Sequence, residues 1–176
     1  ITIPSFKAYD VRGRLPDELN EDIAHRIANA TARFLGAKRV GIGRDIRLSS
    51  EALANAVSAG LIEAGVEVLD IGLGGTEMVY FGTGALGADG GIMITASHNP
   101  KDYIGLKIVR DAARPISGDT GLAAIREFAE RDERLVAETP GTRTPVDIRA
   151  DYVAHLLSYV DVGALKPLKI VVNAGN

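Results

Sequence analysis

The run Arg39-Val-Gly-Ile-Gly43 is answered by a second, Val66-Glu-Val-Leu-Asp-Ile71, and the segment between them has a different period. Both runs are short, apolar and rich in β-branched residues, as strands covered on both faces are. Between them Leu53, Ala56, Val57 and Leu61 recur at helical spacing, with Ser49 or Ser50 as cap and Gly65 as stop. The same alternation extends outward. Leu19, Ile23, Ile27, Ala30 and Phe34 predict a helix upstream, opened by Asn20 and closed by Gly36. Downstream, residues 76–86 read as a shorter helix and residues 92–95 and 106–109 as two strands able to pair antiparallel. Residues 116–130 contain a further amphipathic helix through Leu122, Ile125 and Phe128. Strands alternating with helices in this way predict an α/β fold with three layers, helix, mixed sheet and helix.

The tail reads differently. Residues 134–146 are rich in Thr, Pro and charge, and Pro140-Gly141 punctuates them, so they are expected to be a link or an edge segment. A helix is predicted over 147–159, and Leu168-Lys-Ile-Val-Val-Asn173 reads as the start of another strand. The expected organisation is one domain over 1–133, a linker and helix over 134–160, and the first strand of a second domain over 161–176.

Composition narrows the chemistry. Of 176 residues, 46% are hydrophobic, enough for a substantial core. A formal charge of -3 with 24% charged residues gives no electrostatic footprint for nucleic acid. With no cysteine, disulfides, thiolate catalysis and sulfur-bound zinc are excluded, and the three histidines, His25, His98 and His155, lack zinc-motif spacing. No segment is apolar and long enough to cross a bilayer, so a cytoplasmic protein without a membrane partner is expected.

The run Gly90-Gly-Ile-Met-Ile-Thr-Ala-Ser-His-Asn-Pro100 carries the chemistry. Open α/β sheets place ligands just beyond the C-terminal ends of strands, which is where Ser97 falls. Pro100 pushes Asn99 toward an extended backbone and helps to form a turn. Such a serine serves either as a turn residue whose hydroxyl satisfies the backbone or as a reactive oxygen. The second role needs activation, for which His98 and Lys107 are candidates. A hydrolase elbow is absent, because Thr95 stands where the first glycine of G-x-S-x-G belongs. Phosphoryl transfer fits better, since it asks for donors and cations around an oxygen.

Those cations stand in nearby loops. Arg12 lies in Tyr9-Asp-Val-Arg-Gly13, where Gly13 would permit an unusual turn, and Arg44 and Arg47 follow the strand ending at Gly43. Asp45 is expected to pair with one of those two arginines. If the loops converge they form an anion site; otherwise the arginines are solvated surface charges. Val40-Gly-Ile-Gly43 is no dinucleotide fingerprint, because Ile46 occupies the third glycine position, and neither glycine cluster ends in the Gly-Lys-Ser/Thr of a triphosphate loop.

Thr95-Ala-Ser-His-Asn-Pro100 with Asp102-Tyr103 and Gly105-Leu-Lys107 resembles the phosphoserine loop of the α-D-phosphohexomutase superfamily. Tyr9-Asp-Val-Arg-Gly13 and Gly43-Arg-Asp-Ile-Arg-Leu-Ser-Ser50 resemble two further signatures of that superfamily, in the expected order. Gly74-Gly-Thr-Glu-Met-Val-Tyr-Phe81 and Ala113-Arg-Pro-Ile-Ser-Gly118 look like its bacterial phosphomannomutase branch. The resemblance implies the first domain of a multi-domain phosphohexomutase. Ser97 would carry a phosphoryl group, and an oxygen of that phosphate would ligate Mg²⁺. The substrate would be a hexose phosphate, with hexose 1,6-bisphosphate as intermediate and activator.

Arg12 and Lys107 match residues that steady the transferring group or move its proton, and His98 one that supports the loop. Arg44, Asp45, Arg47 and Asn99 are carried over only as neighbours of the catalytic loop. The family's aspartate-rich metal run, its sugar-recognition loop and its phosphate-grasping loop have no counterpart in these residues. The remaining domains of the same chain are therefore the expected partner, and these residues alone are expected to lack appreciable turnover. Phosphoglucomutase, phosphoglucosamine mutase and a non-catalytic sugar-phosphate-binding module are the alternatives.

Overall fold

The computed structural model describes residues 1–173. Its elements are β1 (Val11–Arg14), α1 (Glu21–Leu35), β2 (Arg39–Arg44), α2 (Ser50–Glu63), β3 (Glu67–Leu73) and α3 (Thr76–Ala85). There follow β4 (Gly90–Ile94), β5 (Tyr103–Arg110), α4 (Leu122–Arg131), β6 (Arg143–Pro145) and α5 (Arg149–Leu157). The strands form one mixed sheet in the order β1-β5-β4-β2-β3-β6. Strands β4, β2, β3 and β6 run parallel, while β5 is antiparallel to both β4 and β1.

The runs 39–43 and 66–71 form β2 and β3, paired in parallel from Arg39 opposite Glu67. Between them α2 packs against β2 and β3 on one face, whereas α3 packs against β2 and β4. The alternation of side chains across the sheet explains the layering. On β4, Ile92 and Ile94 point into the larger core with Ile27, Leu53 and Leu61, and Met93 points into a smaller one with Ile71, Met78, Val79 and Ile148. A helix therefore has to cover each face, and the predicted three-layer architecture is present.

Helix α1 begins and ends as its sequence dictates. The Asn20 side chain accepts from the Ile23 amide, and Gly36 takes the left-handed conformation with φ 57°. Serine capping of α2 takes another form. Ser49 is the N-cap and makes no side-chain capping bond, while the Ser50 hydroxyl is drawn away to Asp45.

Three expectations are corrected. Residues 11–14 form a strand, and Gly13 is not a turn: a Cβ there would lie 2.9 Å from the Glu18 Cβ and 3.0 Å from the Ser5 Cβ, so close packing requires glycine. The helix predicted within 116–130 is α4, which starts at Leu122 beyond an extended part. Pro115 bridges to Val109 and the Ile116 amide donates to the Ile108 carbonyl, which holds this part extended against β5. The helix predicted over 147–159 is α5, shorter at both ends.

The third correction concerns the end of the described chain. Residues 165–173 form no strand, and Leu168, Ile170, Val171 and Val172 stand exposed. A strand needs a neighbouring backbone, and this run does not add to β6 at the sheet edge. The last three positions of the segment expected over 161–176 lie outside the described residues.

Candidate active site

The chain passes from β2 to β3 on one side and then crosses back over β2 to place β4 on the other. The C-terminal ends of β2 and β4 thus flank the point where the strand order reverses, the crevice in which open α/β sheets hold ligands. Asp45 follows β2 and Thr95 follows β4, and they meet across this crevice. The Thr95 hydroxyl donates to Asp45 Oδ2 at 2.7 Å and accepts from the Ser97 amide at 2.9 Å. Asp45 Oδ1 also accepts from the Ser50 hydroxyl and the Arg47 amide. One carboxylate therefore gathers β2, the start of α2 and the strand beneath Ser97.

Ser97 is exposed and left-handed, with φ 53°. A residue with a side chain pays roughly 1–2 kcal/mol for that conformation, so it persists only where its surroundings over-determine it. Arg47 provides much of the constraint. Its guanidinium donates to the carbonyls of Ser97 at 2.9 Å, Asn99 at 2.5 Å, Pro100 at 2.8 Å and Tyr103 at 3.3 Å. The Asn99 side chain closes the turn by donating to the Ala96 carbonyl at 2.8 Å. His98 is exposed with its Nδ1 3.4 Å from Ser97 Oγ. Beyond the turn, Arg14 of β1 reaches Asp102 at 3.2 Å and lies 5.5 Å over the Tyr103 ring. The Tyr103 hydroxyl holds the Arg14 guanidinium above its ordinary pKa, with Asp102 adding to the effect.

The sheet delivers the remaining cations in rows. Arg12 of β1 stands opposite Gly105 of β5, and the Gly105 carbonyl accepts from the Thr95 amide. A Cβ on Gly105 would lie 2.3 Å from the Val11 carbonyl oxygen and 3.0 Å from that of Thr95, so only glycine lets the three strand ends come this close. Lys107 stands opposite Met93, one row further down the same face. Arg12 Nη2 and Lys107 Nζ both donate to Asp10 Oδ2, at 2.6 and 3.2 Å. On α3, Tyr80 is half-buried. Its pKa is raised by burial first, then by the charges of Glu77 and Asp10.

Ser97, His98, Asn99, Asp45 and Arg47 thus form one bonded cluster, with Arg12 and Lys107 in the adjoining rows. Arg44 is turned away: its guanidinium pairs with Glu51 at 2.6 Å and Asp70 at 3.5 Å, toward the β3 side of the sheet. Asp10 and Thr95 are absent from the residues picked out as a site by sequence. Both lie inside the quoted motifs, but nothing in local spacing distinguishes a bridging carboxylate from a solvated one. Among the described residues no three His, Asp or Glu side chains come together as a metal cage. No helix there is long and apolar enough to cross a membrane.

Residues 4–135 match the family described as phosphoglucomutase/phosphomannomutase, alpha/beta/alpha domain I. Curated relatives named phosphohexose mutases, from Xanthomonas campestris pv. campestris, are 57% identical over 176 residues, spanning 100% of this chain and 39% of the relative. The phosphomannomutase of Salmonella typhimurium is 56% identical over 173 residues, 97% of this chain and 38% of its own length. The crystal structure of a phosphoglucomutase/phosphomannomutase family protein from Burkholderia thailandensis superposes with a TM-score of 0.80 at 32% identity. It covers 90% of this chain and 36% of that one. A putative phosphomannomutase from Thermus thermophilus gives 0.80 at 31% identity, covering 93% and 38%. The chain spans about two fifths of the length of these curated relatives.

Proposed function

Because the chain belongs to the phosphoglucomutase/phosphomannomutase family through its alpha/beta/alpha domain I, we propose that it is the phosphoserine-bearing part of a hexose-phosphate mutase. The preferred reaction is the reversible conversion of mannose 1-phosphate to mannose 6-phosphate. The observation that carries this reading is Ser97, an exposed hydroxyl held left-handed at the switch point of the sheet by Thr95 and by the fork of Arg47. A turn serine with no further duty would not need an arginine and a bridging aspartate to hold it.

In the forward direction the phosphorylated Ser97 gives its phosphoryl group to the sugar's 6-hydroxyl. The P–Oγ bond breaks, a P–O6 bond forms, the O6 proton leaves to a base, and the product is hexose 1,6-bisphosphate. After the intermediate turns round, Ser97 Oγ takes the phosphoryl group from position 1. A P–Oγ bond forms, the P–O1 bond breaks, O1 receives the proton that O6 gave to the base, and hexose 6-phosphate departs. The same bisphosphate would re-prime an unphosphorylated enzyme as an activator. Transfer of this kind is catalysed by placement and charge stabilisation more than by covalent chemistry. Arg12 and Lys107 would supply positive charge and a proton path, and His98, beside Oγ, would support the loop and its charge. A phosphoserine adds about -1.5 to -2 charge. Arg12, Lys107 and Arg47 stand against the carboxylates of Asp10 and Asp45 around it, leaving too little positive charge for full compensation.

Mg²⁺ would provide the rest by drawing charge from the phosphate oxygens. Among the described residues no cage for it forms, so its other ligands would come from elsewhere in the protein. Residues 1–133 would then form most of the catalytic domain, 134–160 a linker and helix that completes it through β6 and Ile148, and 161–176 the lead into a second domain. By itself this chain would show no appreciable turnover. Activity on glucose phosphates as well is favoured by the broader names carried by the Xanthomonas and Burkholderia relatives. The test is the intact mass of the full-length protein with the phosphate mapped, together with Ser97→Ala. Phosphate on Ser97 and abolished turnover in a folded variant are expected; full-speed turnover without that oxygen refutes the proposal.

A further inference from the structure

Asp10 is buried beneath the two cations that the mechanism leaves for the phosphoryl group. Its side chain is only 9% exposed. A single oxygen, Oδ2, accepts from Arg12 Nη2 at 2.6 Å and from Lys107 Nζ at 3.2 Å. Among the described residues these are the only side-chain bonds that either cation makes, whereas Arg47 is spent on loop carbonyls and Arg44 on Glu51 and Asp70.

Antiparallel pairing of β1 with β5 places the three groups together. Val11 stands opposite Leu106 and Arg12 opposite Gly105, so Asp10, Arg12 and Lys107 share one face in adjoining rows. Two cations on neighbouring positions of one face repel, and the flexible stem of a lysine would carry its ammonium off to solvent. A buried carboxylate between them removes the repulsion and sets their separation. Each cation spends one N–H on Asp10 and keeps its others for a second anion. The row holding Arg12 and Gly105 ends at Thr95, two residues before Ser97.

We infer that Asp10 is a positioning residue, which aims Arg12 and Lys107 together at the phosphoryl group passing through Ser97. The inference rests on the phosphoserine reading above. Asp10 touches no reacting atom and acts through the two cations alone. Removing its charge leaves sugar binding to groups elsewhere, but lets the cations drift from where the transferring charge develops. A misplacement of about an ångström in such groups costs up to roughly 100-fold in rate.

In the full-length protein, Asp10→Asn keeps the shape and removes the charge, and Asp10→Glu keeps the charge on a longer stem. With a hexose 1-phosphate as substrate, kcat of Asp10→Asn is expected to fall roughly 10–100-fold. KM should stay within about threefold, the pattern of an interaction made in the transition state. Asp10→Glu is expected to recover part of the loss. An unchanged kcat for Asp10→Asn overturns the inference, as does a change confined to KM. Should Asp10→Asn melt below the assay temperature, Asp10→Glu decides: folded with intermediate kcat supports the inference, folded with kcat no better than Lys107→Met overturns it. Ser97→Ala, run alongside, separates the two levels. If it retains turnover, the phosphoserine reading fails; if it is silent while Asp10→Asn runs at full speed, only the role of Asp10 fails.

Discussion

Replacing Arg47 by alanine should unfasten the serine loop while leaving the domain folded. The guanidinium donates to four carbonyls between Ser97 and Tyr103, and its side chain is 17% exposed. Hydrogen bonds to a charged donor contribute about 1.5–3 kcal/mol each. They do not simply accumulate here, because each terminal nitrogen is shared between two acceptors, and Ser97 and Pro100 are exposed so that water replaces the lost donor. A net loss of about 3–4 kcal/mol of local ordering is a reasonable magnitude. At about 1.4 kcal/mol per decade this raises the open population of the loop roughly 100–1,000-fold.

Amide hydrogen exchange in the full-length protein reads that population directly. The amides of Ser97, Asn99 and Tyr103 are bonded within this region, to Thr95 Oγ1 and to the carbonyls of Ala96 and Pro100. They should exchange faster by about two to three decades, while amides of α1 and β2 keep their protection. Arg47→Lys should fall between, since one ammonium cannot span four carbonyls in a fixed fork. If the three amides exchange at unchanged rates in Arg47→Ala, the fork is not what holds Ser97.

Thr95→Val preserves shape but leaves the Ser97 amide without its acceptor and Asp45 without one of its donors. Thermal melting should show about 1–3 kcal/mol of destabilisation, and the phosphorylation of Ser97 proposed above, followed by intact mass, should slow. A second measurement concerns acid stability. The Ile3 amide first, and then Arg126, hold the Glu130 carboxyl below its ordinary pKa. Its stabilisation is therefore complete above the unfolded value of roughly 4.3 and is lost as pH falls through the lower folded value. Glu130→Gln should be less stable than the parent at pH 7, with the gap closing as pH drops below about 4 in urea titrations; a gap independent of pH would contradict this assignment.

Most helices and the central strands were legible because their signal is local. The period of Leu53, Val57 and Leu61, or the continuous run around Ile42, depends only on near neighbours and on which face is buried. The helix through Leu122, Ile125 and Phe128 shows in the sequence as well, but its start does not, because the Ile116 amide is claimed by β5. Strand β1 escaped notice for the complementary reason. Four residues containing an arginine and a glycine have little strand character until β5 supplies the ladder.

The sequence by itself determined the alternating layers, the place of Ser97 beyond a buried strand, and the three motifs that carry cations toward it. Tertiary structure alone decided which cations arrive. Arg44 and Arg47 are nearly adjacent in the chain, but one is taken by Glu51 and Asp70 and the other closes over the serine loop. Asp45 meets Thr95 across 50 positions and Asp10 meets Lys107 across 97. Pairings at that separation depend on strand order and register, which the spacing of residues along the chain does not encode.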